Sequence, residues 1–336
     1  MIGAVGILLL ALSASVLGWL AVAFYLEHRS DRIPILLYHR LVRKADVEAG
    51  LVADEEPVWA SYDTVFAAHM DRLHSEGWAT LDFDDYLRIR SGQAQLPPRP
   101  VLVTFDDGYL SNYTLAYPVL RRNSQKATIF VALEPDAETR DLVADLDGFL
   151  TPDQMKEMSE NGISIQSHSL THPILTELPV HAVDFELAES RRRLEAITGR
   201  PVRHLAIPRA GYSRRIRSQA RVQGYATVCC NNKGTSTGLS DPLALPRIVI
   251  DRDMGPGEVL RALEPRSGFL LRIVGNVKRI PERLGGVRFA QRVRTLLYHG
   301  PLRQLFTTQN LKRGVVIILV CSLGAGLLLA LRLLFA

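Results

Sequence analysis

The sequence predicts an α/β fold in which parallel strands close, or nearly close, into a (β/α) barrel. Three observations carry that expectation. Seven short apolar, β-branched runs alternate with amphipathic stretches. Polar, chemistry-bearing residues gather just after those runs, where the strands of a βα barrel end. Both ends of the chain are apolar, which leaves one soluble block between them.

The elements follow in chain order. Residues 1–26 contain no charged side chain. Crossing a bilayer takes roughly 20 apolar residues. The run has no Lys/Arg n-region and is long for a signal-peptide core, so an uncleaved transmembrane anchor is expected over 1–26. The soluble domain is expected over 32–255. Its strands are expected at 33–38, 101–105, 127–131, 163–166, 202–207, 226–229 and 245–250, seven in all. Helices are expected at 62–76, 83–91, 112–122, 152–161, 179–198 and 214–223. In the fifth of these, Val183, Leu187, Leu194 and Ile197 repeat with helical period, Gly199 ends the helix and Pro201 follows. Residues 43–56 are polar and partly acidic and read as a loop.

Beyond the domain, 256–313 is basic and amphipathic. From Arg266 to Arg313 eleven Lys/Arg face one acid, Glu282, and apolar residues such as Phe269, Leu270, Leu296 and Phe306 are interspersed. Beside an apolar span, that mixture reads as helices lying on anionic membrane lipid rather than as a nucleic-acid surface. A second transmembrane helix is expected over 314–333, where Gly324 and Gly326 suit close helix contact. Charge does not orient the chain, because long loops translocate largely regardless of their charge.

Composition excludes other classes. The 336 residues are 47% hydrophobic and 22% charged, so a sizeable core can form and disorder is excluded. Three cysteines without a CxxC pair exclude a disulfide scaffold and a thiolate zinc site.

Two motifs carry the chemistry. In Val103-Thr104-Phe105-Asp106-Asp107-Gly108-Tyr109, two carboxylates end an apolar strand, where they need a cation or strong donors. Neighbouring residues point opposite ways, so one acid can ligate a metal while the other reaches a water. An Asp-Gly pair alone reads equally well as a turn. In Ser167-His168-Ser169-Leu170-Thr171-His172-Pro173, two histidines four apart can meet one ion, and Pro173 keeps His172 out of helical geometry. HxxxH alone reads equally as two surface histidines. Taken together, two imidazoles and a carboxylate form the three-ligand set of an open hydrolytic metal site.

These motifs, in this order, resemble carbohydrate esterase family 4, the NodB-type polysaccharide deacetylases. Ile35-Leu36-Leu37-Tyr38-His39-Arg40 resembles the branch that includes poly-N-acetylglucosamine deacetylases. Gly77-Trp78, Ala127-Thr128-Ile129-Phe130, Gly199-Arg200-Pro201-Val202 and Ala244-Leu245-Pro246-Arg247-Ile248 extend the likeness. It implies a distorted seven-stranded barrel of the NodB type, here flanked by the two transmembrane helices. It implies a divalent metal, zinc in the first place and cobalt, nickel or manganese as alternatives, held by Asp107, His168 and His172. Asp106 would be the general base. His39, at a strand end, would be the general acid. The family more often takes its acid from a late Leu-x-His, matched only by Leu297-Tyr298-His299 beyond the barrel.

The third family motif departs here, as Leu205-Ala206-Ile207-Pro208-Arg209-Ala210-Gly211-Tyr212. Arg209 would supply the oxyanion N–H, and Tyr212 would replace a lost aromatic wall. No arginine aligns with the one that orients the family's base, and Arg209 is the expected stand-in.

The resulting expectation is a membrane-anchored N-deacetylase acting on an amino-sugar polysaccharide or lipid-linked glycan. Its catalytic domain would be extracytoplasmic on the inner or plasma membrane. Its partners would be the acetylated glycan, membrane lipid and polysaccharide synthesis or export machinery, with no nucleic acid. The alternatives are an O-acetyl esterase or deformylase on a glycan, and a non-catalytic glycan-binding member of the fold.

Overall fold

Each of the seven expected runs forms a strand in the computed structural model, which describes residues 31–51, 60–135, 148–250 and 254–265, with Arg140, Arg252 and scattered positions before residue 30. The strands are β1 (Ile35–Tyr38), β5 (Pro100–Phe105), β6 (Ala127–Val131), β7 (Ile163–Ser167), β8 (His204–Ala206), β9 (Thr227–Lys233) and β10 (Leu245–Val249). They run in the order β1-β10-β9-β8-β7-β6-β5, and β5 returns to β1, closing a seven-stranded barrel. Every pairing is parallel. Leu36 stands opposite Ile248 on one side and Val103 on the other, so the first strand is the closing stave. All six residues of β5 and all five of β6 are buried. Burial on both faces is why these strands read as continuous apolar runs rather than as alternating ones.

Three strands were not expected. β2 (Arg40–Val42) pairs with β3 (Ala60–Tyr62), and β4 (Ala79–Leu81) joins the start of β5 on the side that β6 takes farther along. Each has three residues, too few for a period-two signal. The stretch expected as a loop over 43–56 contains a short helix, α1 (Lys44–Glu48), braced by a Lys44–Glu48 ion pair of 3.4 Å.

The remaining helices are α2 (Asp63–Ser75), α3 (Phe83–Arg90), α4 (Tyr117–Arg122), α5 (Pro152–Glu160), α6 (Val180–Thr198), α7 (Arg214–Val222) and α8 (Pro256–Leu263). A π-turn over Asn112–Ala116 precedes α4. Pro118 lacks the N–H that an α-helix would direct to residue 114, so the ladder shifts there. Gly199, at φ 64°, ends α6 in the left-handed conformation that a glycine C-cap accepts.

The compact unit runs Asp31–Glu264. Residues 256–264, the start of the expected membrane-surface segment, fall within it. Val259, Ala262 and Leu263 turn inward from α8, and the carbonyl of Met254, just before it, accepts a 2.7 Å hydrogen bond from His69 Nε2 on α2. Among the described residues no helix is long and apolar enough to cross a membrane. The expected span 314–333 lies outside the described residues, as do 266–313 and most of 1–26.

Candidate active site

The Asp-Asp motif follows β5 directly. Asp106 N–H still donates to Tyr38 O at 3.0 Å, so the first acid is fixed to the barrel wall. The chain then turns left-handed at Asp107 (φ 74°) and Gly108 (φ 81°). At Gly108 a Cβ would lie 3.0 Å from Val131 Cγ1, so the turn needs glycine on both counts. The reversal sends the two neighbouring carboxylates to different partners.

Asp106 receives a forked pair of hydrogen bonds from Arg247, with both Nη1···Oδ1 and Nη2···Oδ2 at 2.7 Å. Arg247 comes from β10 and is itself buried. Thr104 Oγ1 lies 3.5 Å from the same guanidinium and donates to Leu36 O at 2.7 Å. Burial pushes the Asp106 carboxyl up, but Arg247 and then His168 outweigh it, and the group ends below its usual range.

The histidine loop follows β7. His168 Nδ1 donates to Ala206 O at 2.9 Å, which leaves the Nε2 lone pair facing inward. Ser169 (φ 65°) and His172 (φ 64°) are both left-handed, and Ser169 Oγ accepts from His172 N at 3.1 Å. Nε2 of His168 lies 3.3 Å from Asp107 Oδ1, and Nε2 of His172 lies 3.2 Å from the same atom. The three ligand atoms fall within 4.8 Å of one another. Buried Asp107 Oδ1 nevertheless has no partner in hydrogen-bond geometry. Burial raises the Asp107 pKa, but the two imidazoles more than reverse this and hold the carboxyl well below its ordinary value.

Three lone-pair donors converging in a buried site, one an orphaned carboxylate oxygen, fit a cation. Two imidazoles and one carboxylate suit zinc and its first-row neighbours. The structure thus brings together the three residues expected as ligands and places Asp106 beside them, its Oδ2 3.9 Å from His168 Nε2.

The remaining expected residues are less uniform. His39 is buried at the end of β1, within the electrostatic field of Asp107, Asp106, Arg247 and His168. Burial lowers its pKa, and the two carboxylates only partly oppose that. Arg209 is left-handed (φ 50°), and its Nε lies 3.4 Å from His172 Nδ1. It does not orient Asp106, contrary to expectation; Arg247 does. Tyr212 is half-buried, and its hydroxyl donates to Leu243 O at 3.1 Å. Leu297-Tyr298-His299 lies outside the described residues.

Two residues of the site escaped the sequence reading. Arg247 is a single cation inside an apolar strand, which is itself a signal, because a buried arginine demands an acid. Glu186, on α6, accepts from Leu170 N and Thr171 N, both at 2.9 Å, and from Thr171 Oγ1 at 2.7 Å.

Residues 93–228 match the family model for polysaccharide deacetylase. YxkH of Bacillus subtilis (strain 168) is 29% identical over 232 residues, 69% of this chain and 76% of its own. The peptidoglycan-N-acetylmuramic acid deacetylase PdaA of the same organism is 30% identical over 132 residues, 39% of this chain and 46% of its own. The Streptococcus pyogenes deacetylase PplD, solved in complex with acetate, superposes with a TM-score of 0.61 at 27% identity, over 70% of this chain and 99% of that one. IcaB from Ammonifex degensii shares the fold, with a TM-score of 0.58 at 21% identity over 70% of this chain and 98% of its own. Family model, relatives and closed barrel agree that this chain contains a polysaccharide deacetylase domain of the NodB type.

Proposed function

We propose that the protein is a metal-dependent hydrolase that removes the N-acetyl group from an amino-sugar glycan. The observation that carries this is the convergence of Asp107, His168 and His172 beside an arginine-clamped Asp106. A divalent ion held by those three side chains, zinc first and cobalt, nickel or manganese as alternatives, would polarise the acetamide carbonyl and acidify a water.

The chain's own groups handle the protons. Asp106, kept ionised and immobile by Arg247, takes the proton of the attacking water as its oxygen bonds to the carbonyl carbon. His39, buried beside Asp106 at the end of β1, receives the proton that Asp106 collected and passes it to the sugar nitrogen as the C–N bond breaks, which returns both groups to their starting states. The products are acetate and a free amine. Arg209, at the turn after β8, would offer its backbone N–H to the developing oxyanion, with Tyr212 lining the approach. The apolar runs 1–26 and 314–333 support a membrane anchorage that holds the domain near glycan outside the cytoplasm.

The test is acetate release from acetylated chito-oligomers, with O-acetylated and N-formylated glycans run alongside and metal content measured by mass spectrometry. The expected result is release by the native chain and loss in Asp106→Asn with metal retained. Release that persists undiminished in Asp106→Asn overturns the roles assigned here. Fractionation of full-length protein into membranes checks the anchors.

A further inference from the structure

The loop that carries both histidine ligands has a costly backbone conformation. Ser169 and His172 are left-handed, and a non-glycine residue in that region costs on the order of 1–3 kcal/mol unless its surroundings impose it. Between these two residues lie Leu170 and Thr171, and their consecutive N–H groups point to one atom, Glu186 Oε2, at 2.9 Å each. The other oxygen, Oε1, takes the Thr171 hydroxyl at 2.7 Å. Among the described residues no basic side chain forms an ion pair with Glu186, although the residue is buried.

The carboxylate comes from a rigid source. Helix α6 spans nineteen residues, and its buried face reads Val183, Glu186, Leu187, Ser190, Leu194 and Thr198. Ser190, one turn on, shares a 2.8 Å hydrogen bond with Ser167 at the root of the same loop. Two polar residues on one buried helix face thus grip one loop at two points. A buried carboxylate without a cation is expensive, and packing alone could be done by an apolar residue. What only a carboxylate supplies here is an acceptor for three converging donors.

We propose that Glu186 is a positioning residue for the metal centre: it imposes the left-handed loop that aims His168 and His172 at Asp107 Oδ1, and so sets metal affinity. Glu186 has this part only if those three side chains hold an ion.

The test is zinc affinity, measured by chelator competition on full-length protein, with the visible spectrum of the cobalt-loaded form as a second readout. Native protein should bind tightest. Glu186→Ala should bind roughly 10- to 100-fold more weakly, the usual effect of removing a group that orients a metal ligand, and should show an altered cobalt spectrum. Glu186→Gln keeps an oxygen for the two N–H donors and should fall between. Should the alanine variant fail to fold, the glutamine variant and Thr171→Val decide, each expected severalfold weaker than native. Affinities within twofold of native in every folded variant, with an unchanged spectrum, overturn the assignment whatever the melting temperatures do. If the native chain binds neither zinc nor cobalt, the metal-centre reading itself fails. If the affinity series holds but native protein releases no acetate, the positioning role stands and the deacetylase reading falls.

Discussion

The two ends of the barrel are both rich in charge, yet only one is built for chemistry. At the amino ends of β6 and β8, Lys126 meets Asp82 at 3.0 Å and Asp85 at 2.6 Å, and Arg203 meets Asp84 at 2.7 Å. His204 also contacts Asp84, at 3.2 Å, and Arg88 pairs with Asp85. A groove of about 650 Å³ opens there, lined by Asp82, Asp84, Arg88 and Arg203 among others. Charges meet their opposites, and most are partly in water, where such pairs are worth little. At the carboxyl ends the groups are buried, and three lone-pair donors crowd within 4.8 Å of one another, one of them a carboxylate oxygen with no hydrogen-bond partner. Four of the six left-handed non-glycine residues among those described, Asp107, Ser169, His172 and Arg209, belong to that end. Space alone does not locate function; unmet polarity held in strained backbone does.

This contrast can be broken by experiment. The largest effect is expected for Asp106→Asn, where loss of the base should lower kcat by roughly 10²- to 10⁴-fold while zinc content stays near native. Steady-state acetate release paired with metal analysis would show it. Next comes Arg247→Met, which leaves the buried Asp106 charge unpaired. A loss of about 3–5 kcal/mol in urea unfolding is expected, with activity falling alongside. A smaller effect concerns pH. Burial chiefly holds His69 and His204 below their ordinary value of 6.5. Below that value the unfolded chain takes up protons that the folded chain refuses. Stability is therefore complete above it and falls as pH drops toward the folded values. The melting temperature should decline between pH 7.5 and 5.5, and His204→Asn should flatten part of the slope. The smallest effect is expected at the amino end: Asp84→Asn should change stability by no more than about 1 kcal/mol and leave acetate release unchanged. A marked loss of turnover in that variant would erase the distinction between the two ends.

Much of the carboxyl end could be read before any coordinates. Strands β1, β5 and β6 are nearly continuous apolar runs, and Asp106, Asp107, His168 and His172 sit within motifs whose spacing is local. What escaped depends on contacts between distant segments. Arg247 and Asp106 are 141 positions apart, and nothing near either residue names the other. Arg209, closer to the histidines in sequence, was the natural but mistaken substitute for it. Glu186 did leave a trace: it shares a helical face with Val183, Leu187 and Leu194, and a carboxylate on a buried face calls for explanation. β2, β3 and β4 were too short for their alternation to register, and the helix at Lys44–Glu48 was hidden by its polar composition.

Barrel closure through β1 bears on the order in which the molecule can be made. Strand β1 lies between β10 and β5, so three adjoining staves deliver His39, Arg247 and Asp106, and the middle one leaves the ribosome first while one flank arrives near the end of the domain. A nascent chain that stops short of residue 245 has the acid–acid pair and both histidines but lacks the guanidinium that clamps the Asp106 carboxylate. The clamp on Asp106 can therefore form only after β10, the last stave to be made, docks against β1.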